Sequence, residues 1–135
     1  MDQIITRHSK LPLDQICARL PEVAVKHKFG VLGTHDLREK MTSKGVPFDR
    51  ECRVFEVCNP QQAQQILNQA IEVSAALPCR ISVYAEKDRT VLATIKPSAL
   101  LGLFGAAGEE SIARDVETSL VRIMEETCSP DEKTG

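Results

Sequence analysis

The chain has 135 residues and a formal net charge of −2, from 17 basic and 19 acidic side chains. Its 42% hydrophobic and 27% charged content is typical of one globular domain and argues against disorder. Because the charge is nearly balanced and only 4% of residues are aromatic, we expect no nucleic-acid partner. No apolar run is long enough to span a membrane, so we expect no membrane partner either.

The five cysteines favour a reducing, cytoplasmic location, because the first residues lack the apolar run of a secretory signal. An odd number also prevents complete pairing within one chain. The sequence contains no Cys-x-x-Cys or His-x-x-x-His pattern, and its three histidines are scattered. We therefore expect no metal site and no cofactor.

The first half of the chain predicts two strands, each followed by a helix. A strand over Ile4 to Ser9 precedes a helical apolar repeat over residues 13–27, in which we expect Pro21 to kink or break the helix. The segment "FGVLGTH" is typical of a second strand. Asp36 and Glu39 then form a capping-box pattern at the start of a short helix.

The second half begins with a strand pattern, "CRVFEVC", over residues 52–58. It ends at a strong helix start, with Asn59 as N-cap, Pro60 at the first helical position and Gln62 as capping-box partner. The segment "CRISVYAEKDRTVLATI" alternates on both sides of a polar turn and predicts a β-hairpin. A loop, "KPSALLGLFGAAG", and a final helix over residues 109–127 follow.

The order β-α-β-α-β-α-β-β-α predicts an α+β fold. We expect a small two-layer sandwich, with a mixed, mostly antiparallel sheet covered by helices mainly on one face. The length suits a single domain over residues 1–135, with an ordered core at about 4–127 and a polar tail at 128–135.

Cys58 is the candidate for chemistry, because the start of a helix favours a thiolate. Strand alternation places Cys58 beside Glu56 on the outer face, where the carboxylate would raise the thiol pKa, and directs Cys79 inward. A strand–helix–strand crossover would place Cys58 and Cys79 at opposite ends of the sheet, so we expect no redox pair. A structural role for Cys58 in the tight turn is favoured, and a reactive thiol is the alternative.

The sheet face turned away from the helices is the candidate binding surface. Its polar groups would converge on a small ligand, and a solvated face or a homodimer interface are the alternatives. The candidate ligand-binding residues are Glu56, Cys58, Arg80, Ser82 and Tyr84. Thr94, Leu92 and Thr34 are expected on the same face.

The glycines in "LLGLFGAAGEE" stand just before a helix, where phosphate-binding loops occur. However, no Lys-Ser/Thr follows, and Glu109 and Glu110 would repel an anion in the first helical turn. We expect this segment to cap the core or to pack on a partner subunit rather than to bind a nucleotide.

Several short motifs resemble the bacterial and archaeal domain of unknown function 302 family. The matching positions are Gly30 at a strand entry, Cys58-Asn59-Pro60 with Ala63 and Leu67, Leu77-Pro78-Cys79 with Val83, and Pro97 after the hairpin. The resemblance covers roughly residues 4–127. It implies a small α+β sandwich that forms homodimers, and it brings no reaction, cofactor or catalytic residue.

We therefore predict a cytoplasmic, non-catalytic homodimer that binds a small ligand or a protein. The alternative is a thiol-dependent enzyme or redox sensor that uses Cys58.

Overall fold

The computed structural model describes residues 3–105 and 110–129. Five strands form one sheet: β1 (Ile4–Ser9), β2 (Gly30–Asp36), β3 (Cys52–Cys58), β4 (Cys79–Glu86) and β5 (Arg89–Ile95). The spatial order is β1-β5-β4-β3-β2, and each neighbouring pair is antiparallel. The predicted α+β sandwich is confirmed, and the sheet of the described residues is antiparallel throughout rather than mixed.

The helices are α1 (Leu13–Lys26), α2 (Leu37–Ser43), α3 (Pro60–Gln69), α4 (Pro97–Gly102) and α5 (Glu110–Cys128), with a 3₁₀ helix at Ile71–Ala76. The short α4 occupies the first part of the segment that we expected to be a loop, and it begins with Pro97 in the first helical position. Glu109 lies outside the described residues. Cys128, which we placed at the start of the polar tail, ends α5 and is buried.

Helix α1 runs without a break through Pro21. A proline in a helix interior costs about 3 kcal/mol. Burial of one large aliphatic side chain stabilises the fold by about 1.5–3 kcal/mol, and Ile16 and Leu20 are both fully buried on this helix. Packing therefore outweighs the lost backbone hydrogen bond.

The main core lies between one face of the sheet and helices α1 and α5. The side chains predicted to face inward, Phe55, Val57, Ile81 and Val83, are at most 3% exposed. A second, smaller core is formed by Ile66, Val73, Leu101 and Ala113, from α3, the 3₁₀ helix, α4 and α5. The site described below lies where these two cores meet.

Three residues that we expected on the open sheet face belong to the other face. Leu92 pairs with Val83, and Thr94 pairs with Ile5, so both point toward the helices and are buried. Thr94 also donates a hydrogen bond to the Arg80 carbonyl at 2.6 Å. Thr34 pairs with Phe55 and shares its side of the sheet. The registers of β2 and β5 decide these positions, and alternation within one strand does not fix them.

The end of α5 is held against α1 by polar contacts. Arg19 of α1 donates hydrogen bonds to the carbonyls of Glu126, Thr127 and Ser129, which satisfies acceptors that a helix end leaves unpaired. The Glu126 side chain contacts His27 at 2.9 Å and Lys26 at 3.2 Å. Within residues 3–105 and 110–129, no helix is long and apolar enough to cross a membrane.

Candidate functional site

Cys58 and Cys79 lie at the same end of the sheet. Val57 pairs with Cys79 across the antiparallel β3–β4 ladder, which makes Cys58 the next residue beyond that pair. Our expectation that the two thiols lie at opposite ends was therefore wrong. The segment formed by α3 and the 3₁₀ helix leaves β3 and enters β4 at the same end of the sheet, so it is not a crossover between opposite ends.

Burial makes both thiols weak acids. It raises the pKa of the Cys58 thiol, and raises that of Cys79 to about 11. The charge of a Cys58 thiolate raises the Cys79 pKa further. Burial, rather than the repulsion from Glu56 that we expected, accounts for the raised pKa of Cys58. All five cysteines are free.

An apolar cavity, the inner cavity, lies beside these thiols and between the two cores. Its volume is about 30 Å³, which is room for about two or three water molecules at roughly 10–15 Å³ each. The lining is largely aliphatic, with Asn59 and Gln62 as its polar members. The lining residues are Phe29, Val57, Cys58, Asn59, Gln62, Ala63, Ile66, Ala76, Leu77, Cys79, Pro97, Leu100, Leu101 and Val116.

Gln62 lines this cavity and carries an unpaired acceptor. Asn59 caps α3 as predicted, because its Oδ1 accepts a hydrogen bond from the Gln62 backbone N–H at 3.1 Å. The reciprocal half of the predicted capping box is not formed. Instead, Gln62 Oε1 is closed to solvent and has no hydrogen-bond partner among the described residues. An unsatisfied buried acceptor costs about 1–3 kcal/mol, so a donor in the cavity would be stabilised.

A second concavity, the outer cleft, adjoins the inner cavity. It has a volume of about 260 Å³ and is lined by Ala75, Ala76, Leu77, Pro78, Cys79, Arg80, Thr94, Ile95 and Leu100. Four residues line both spaces: Ala76, Leu77, Cys79 and Leu100. They form the wall between the inner cavity and the outer cleft.

The residues predicted to bind a ligand on the open face are divided among several contacts. Glu56 and Arg80 come together, with a carboxylate to guanidinium distance of 3.4 Å. Ser82 instead faces Cys52, with Oγ 3.9 Å from Sγ, and the Tyr84 ring lies 5.8 Å from the Arg50 guanidinium carbon. Cys58 borders the inner cavity.

His35 joins the Glu56 cluster, which the sequence did not indicate. Its Nε2 lies 3.5 Å from Glu56 Oε2, and its Nδ1 accepts a hydrogen bond from Lys40 at 3.1 Å. Gly33 gives the carboxylate room, since a Cβ there would come within 3.0 Å of Glu56 Oε1. The β2 register shift between Val31 and Gly33 produces this arrangement, and such bulges leave a weak signal in sequence.

Two other features carry no candidate chemistry. An open concavity of about 600 Å³ at the β4–β5 turn is lined by residues 8–10 and 86–89, most of them charged and exposed, so it is a solvated surface. In the part of the chain that the structure describes, no group of three or more His, Cys, Asp or Glu side chains could hold a metal ion.

Comparisons with known proteins match a family model and a solved structure with a closely similar fold. The family model described as "Domain of unknown function DUF302" matches residues 5–127. The crystal structure of an uncharacterized conserved DUF302 protein from Bacillus stearothermophilus is similar, with a TM-score of 0.90 and 31% sequence identity. The alignment covers 96% of this chain and 100% of that one. No curated protein matches the chain.

Proposed function

Because the chain belongs to the DUF302 family, which carries no assigned reaction, we propose a function from the geometry of the chain: it is a non-catalytic module that binds a small, mainly apolar molecule. The observation that carries this proposal is that Gln62, whose Oε1 is closed to solvent and unpaired, lines an apolar cavity. Ligand sites combine an apolar lining with a few placed polar groups. The inner cavity supplies both.

The raised thiol pKa values support binding over catalysis. A nucleophilic cysteine needs a thiolate at neutral pH, usually through a nearby cation or a base. Burial keeps Cys58 and Cys79 protonated instead. The thiol-dependent enzyme or redox sensor is therefore the less favoured function, and labelling of Cys58 tests it separately.

The proposed module works as a homodimer in the cytoplasm. The open sheet face supports the dimer, since Ile4 and Ile95 pair across β1 and β5 there and are each 46% exposed. The free cysteines support a reducing compartment.

A cavity-filling variant tests the proposed site. Ala63→Val adds two methyl groups to the lining of the inner cavity, and Ala18→Val makes the same change on the exposed face of α1. A panel of the smallest alcohols and amides is screened by thermal shift. A ligand at about 100 times its Kd adds roughly 2.7 kcal/mol of stability. We expect a shift in the wild type and in Ala18→Val, and its loss in Ala63→Val. A shift that survives Ala63→Val, or a panel without any shift, contradicts the proposal.

Gln62→Met tests the unpaired acceptor. The methionine has a similar size and no acceptor to satisfy, so the unliganded protein should gain about 1 kcal/mol of unfolding free energy. The same variant should bind hydroxylic ligands more weakly. Urea denaturation and ligand titration measure the two effects, with Gln65→Met on the exposed side of α3 as control. Unchanged stability and unchanged binding would show that Gln62 Oε1 contributes neither to stability nor to ligand binding.

A further inference from the structure

We propose that the inner cavity and the outer cleft form one binding site for an amphipathic acid. Its carboxylate binds Arg80 in the outer cleft, and its apolar body crosses the wall into the inner cavity. This inference rests on the proposed function and names the class of ligand.

Few side chains separate the two spaces, because four residues line both of them. Ala76 and Cys79 have small side chains, so Leu77 and Leu100 are the two large side chains of this wall. Leu100 lies on α4, a six-residue helix, and its side chain is only partly buried. A ligand that displaces this side chain joins the two spaces. Their combined size is close to the lower limit of small-molecule sites, about 300 Å³, so the acid must be compact.

The charge of the outer cleft selects an anion. Among the nine residues that line it, Arg80 is the one charged side chain. Its side chain is 67% exposed and its guanidinium contacts Glu56 at 3.4 Å, which is a loose pair for a group with five N–H donors. Arginine binds carboxylates in a bidentate geometry that a single long contact does not use. A ligand carboxylate in the cleft would therefore find free donors.

The lining next to Arg80 is apolar. Pro78, Ile95 and Leu100 border the cleft, and Ile95 is 46% exposed. An acid with an aliphatic body would cover this surface while its head remains on the guanidinium. A zwitterion or a sugar would leave polar groups against the same side chains without partners, which is costly.

The test compares three probes that share a chain length and differ in charge: hexanoate, hexan-1-ol and hexylamine. Binding is measured by calorimetry at neutral pH and low salt. For the wild type we expect hexanoate to bind about tenfold more tightly than hexan-1-ol, as a charge-assisted hydrogen bond provides, and hexylamine to bind most weakly. Arg80→Gln should remove the preference for the acid. Arg89→Gln should keep it, because Arg89 is an exposed strand arginine with one acidic partner, Glu86, outside the cleft.

The outcomes separate this inference from the proposed function. Equal binding of hexanoate and hexan-1-ol, abolished by Ala63→Val, overturns the acid and leaves the inner cavity as the site. A preference for hexanoate that persists in Arg80→Gln also overturns the role of Arg80. Failure of all three probes and of the earlier panel to bind overturns both proposals.

Leu100→Ala tests whether the two spaces are one site. Removal of one of the two large side chains of the wall should raise the affinity for octanoate relative to hexanoate severalfold. Leu103→Ala, at a position that is 79% exposed just after α4, should leave the ratio unchanged. Circular dichroism confirms that each variant is folded. A ratio that is the same in Leu100→Ala and the wild type contradicts a shared site.

Discussion

At the end of β3, two opposing effects act on the Cys58 thiol. The first turn of α3 favours the thiolate through the helix dipole, typically by 0.3–1 kcal/mol. Burial disfavours the same charged form because it removes water. Burial raises the pKa of the Cys58 thiol, which leaves it protonated at neutral pH although it stands at a helix start. A cysteine before a helix is therefore not reactive by placement alone.

Cys58 should consequently react slowly with a thiol probe at neutral pH. Since its pKa is raised, a smaller fraction is thiolate than in a free thiol, and labelling should accelerate as the pH rises toward 10. Mass mapping of the labelled native protein between pH 6 and pH 10 measures the rate at each cysteine. The denatured protein serves as control, in which all five thiols should react as free thiols. Rapid labelling of native Cys58 at pH 6 would contradict this prediction and support the alternative of a thiol-dependent enzyme.

Gln62 shows where sequence reasoning stops at the residue scale. The sequence identified Asn59 as the cap, and the Asn59 contact with the Gln62 backbone exists. The side chain of Gln62 has a second option, because a cavity lies within its reach. A cavity is formed by residues from several distant elements, so no local sequence pattern indicates it.

At the scale of elements, hairpins and caps were predictable because their signals are local. The polar turn at residues 87–88 joins β4 and β5 as expected, and the Asp36 side chain caps α2 through the Glu39 N–H. The expected crossover from β3 to β4 was wrong, because a helix between two strands fits both a parallel crossover and an antiparallel connection at one end of the sheet. Long-range pairing decides between them, so the juxtaposition of Cys58 and Cys79 could not be predicted.

The contact between α1 and the end of α5 should make stability depend on pH. A hydrogen bond from His27, together with Lys26, lowers the pKa of Glu126, although slight burial opposes this. A carboxyl group whose pKa is lowered in the folded state stabilises the protein above its unfolded pKa of about 4.3, and this contribution disappears as the pH falls through the folded value. Because the side chain is 41% exposed, the effect is modest.

Glu126→Gln measures this contribution. Urea denaturation should show the variant less stable than the wild type at pH 6–7, and the difference should vanish near pH 3. Glu72→Gln, which removes a carboxylate from an exposed position, should show a smaller difference at pH 6–7. A Glu126→Gln difference that stays constant from pH 7 to pH 3 would contradict the pKa argument.

At the scale of the whole molecule, the helices cover one face of the sheet, and the other face is available for the proposed homodimer. Five strands at about 4.8 Å spacing and 23 Å length give a flat area of roughly 550 Å² per copy. Standard interfaces bury about 800 Å² per partner. The dimer should therefore be weak, and it should dissociate on dilution.

Light scattering should give about twice the 14.9 kDa mass of the chain at high micromolar concentration, with a decline toward the monomer on dilution. Ser82 lies on the central strand of the open face, so Ser82→Arg should shift the equilibrium to monomer. Ser74→Arg, on the exposed side of the 3₁₀ helix, should not. A monomer at all concentrations would contradict the dimer.

The pairing of β1 with β5 has a consequence for synthesis on the ribosome. Ile4 pairs with Ile95, and Ser9 donates a hydrogen bond to the Cys128 carbonyl at the end of α5. Strand β1 therefore stays without its neighbour until β5, at residues 89–95, has been translated. Helix α5, against which β1 packs, is translated later still. During that interval β2, β3 and β4 can pair among themselves, while β1 remains an open edge to which chaperones or other nascent chains have access.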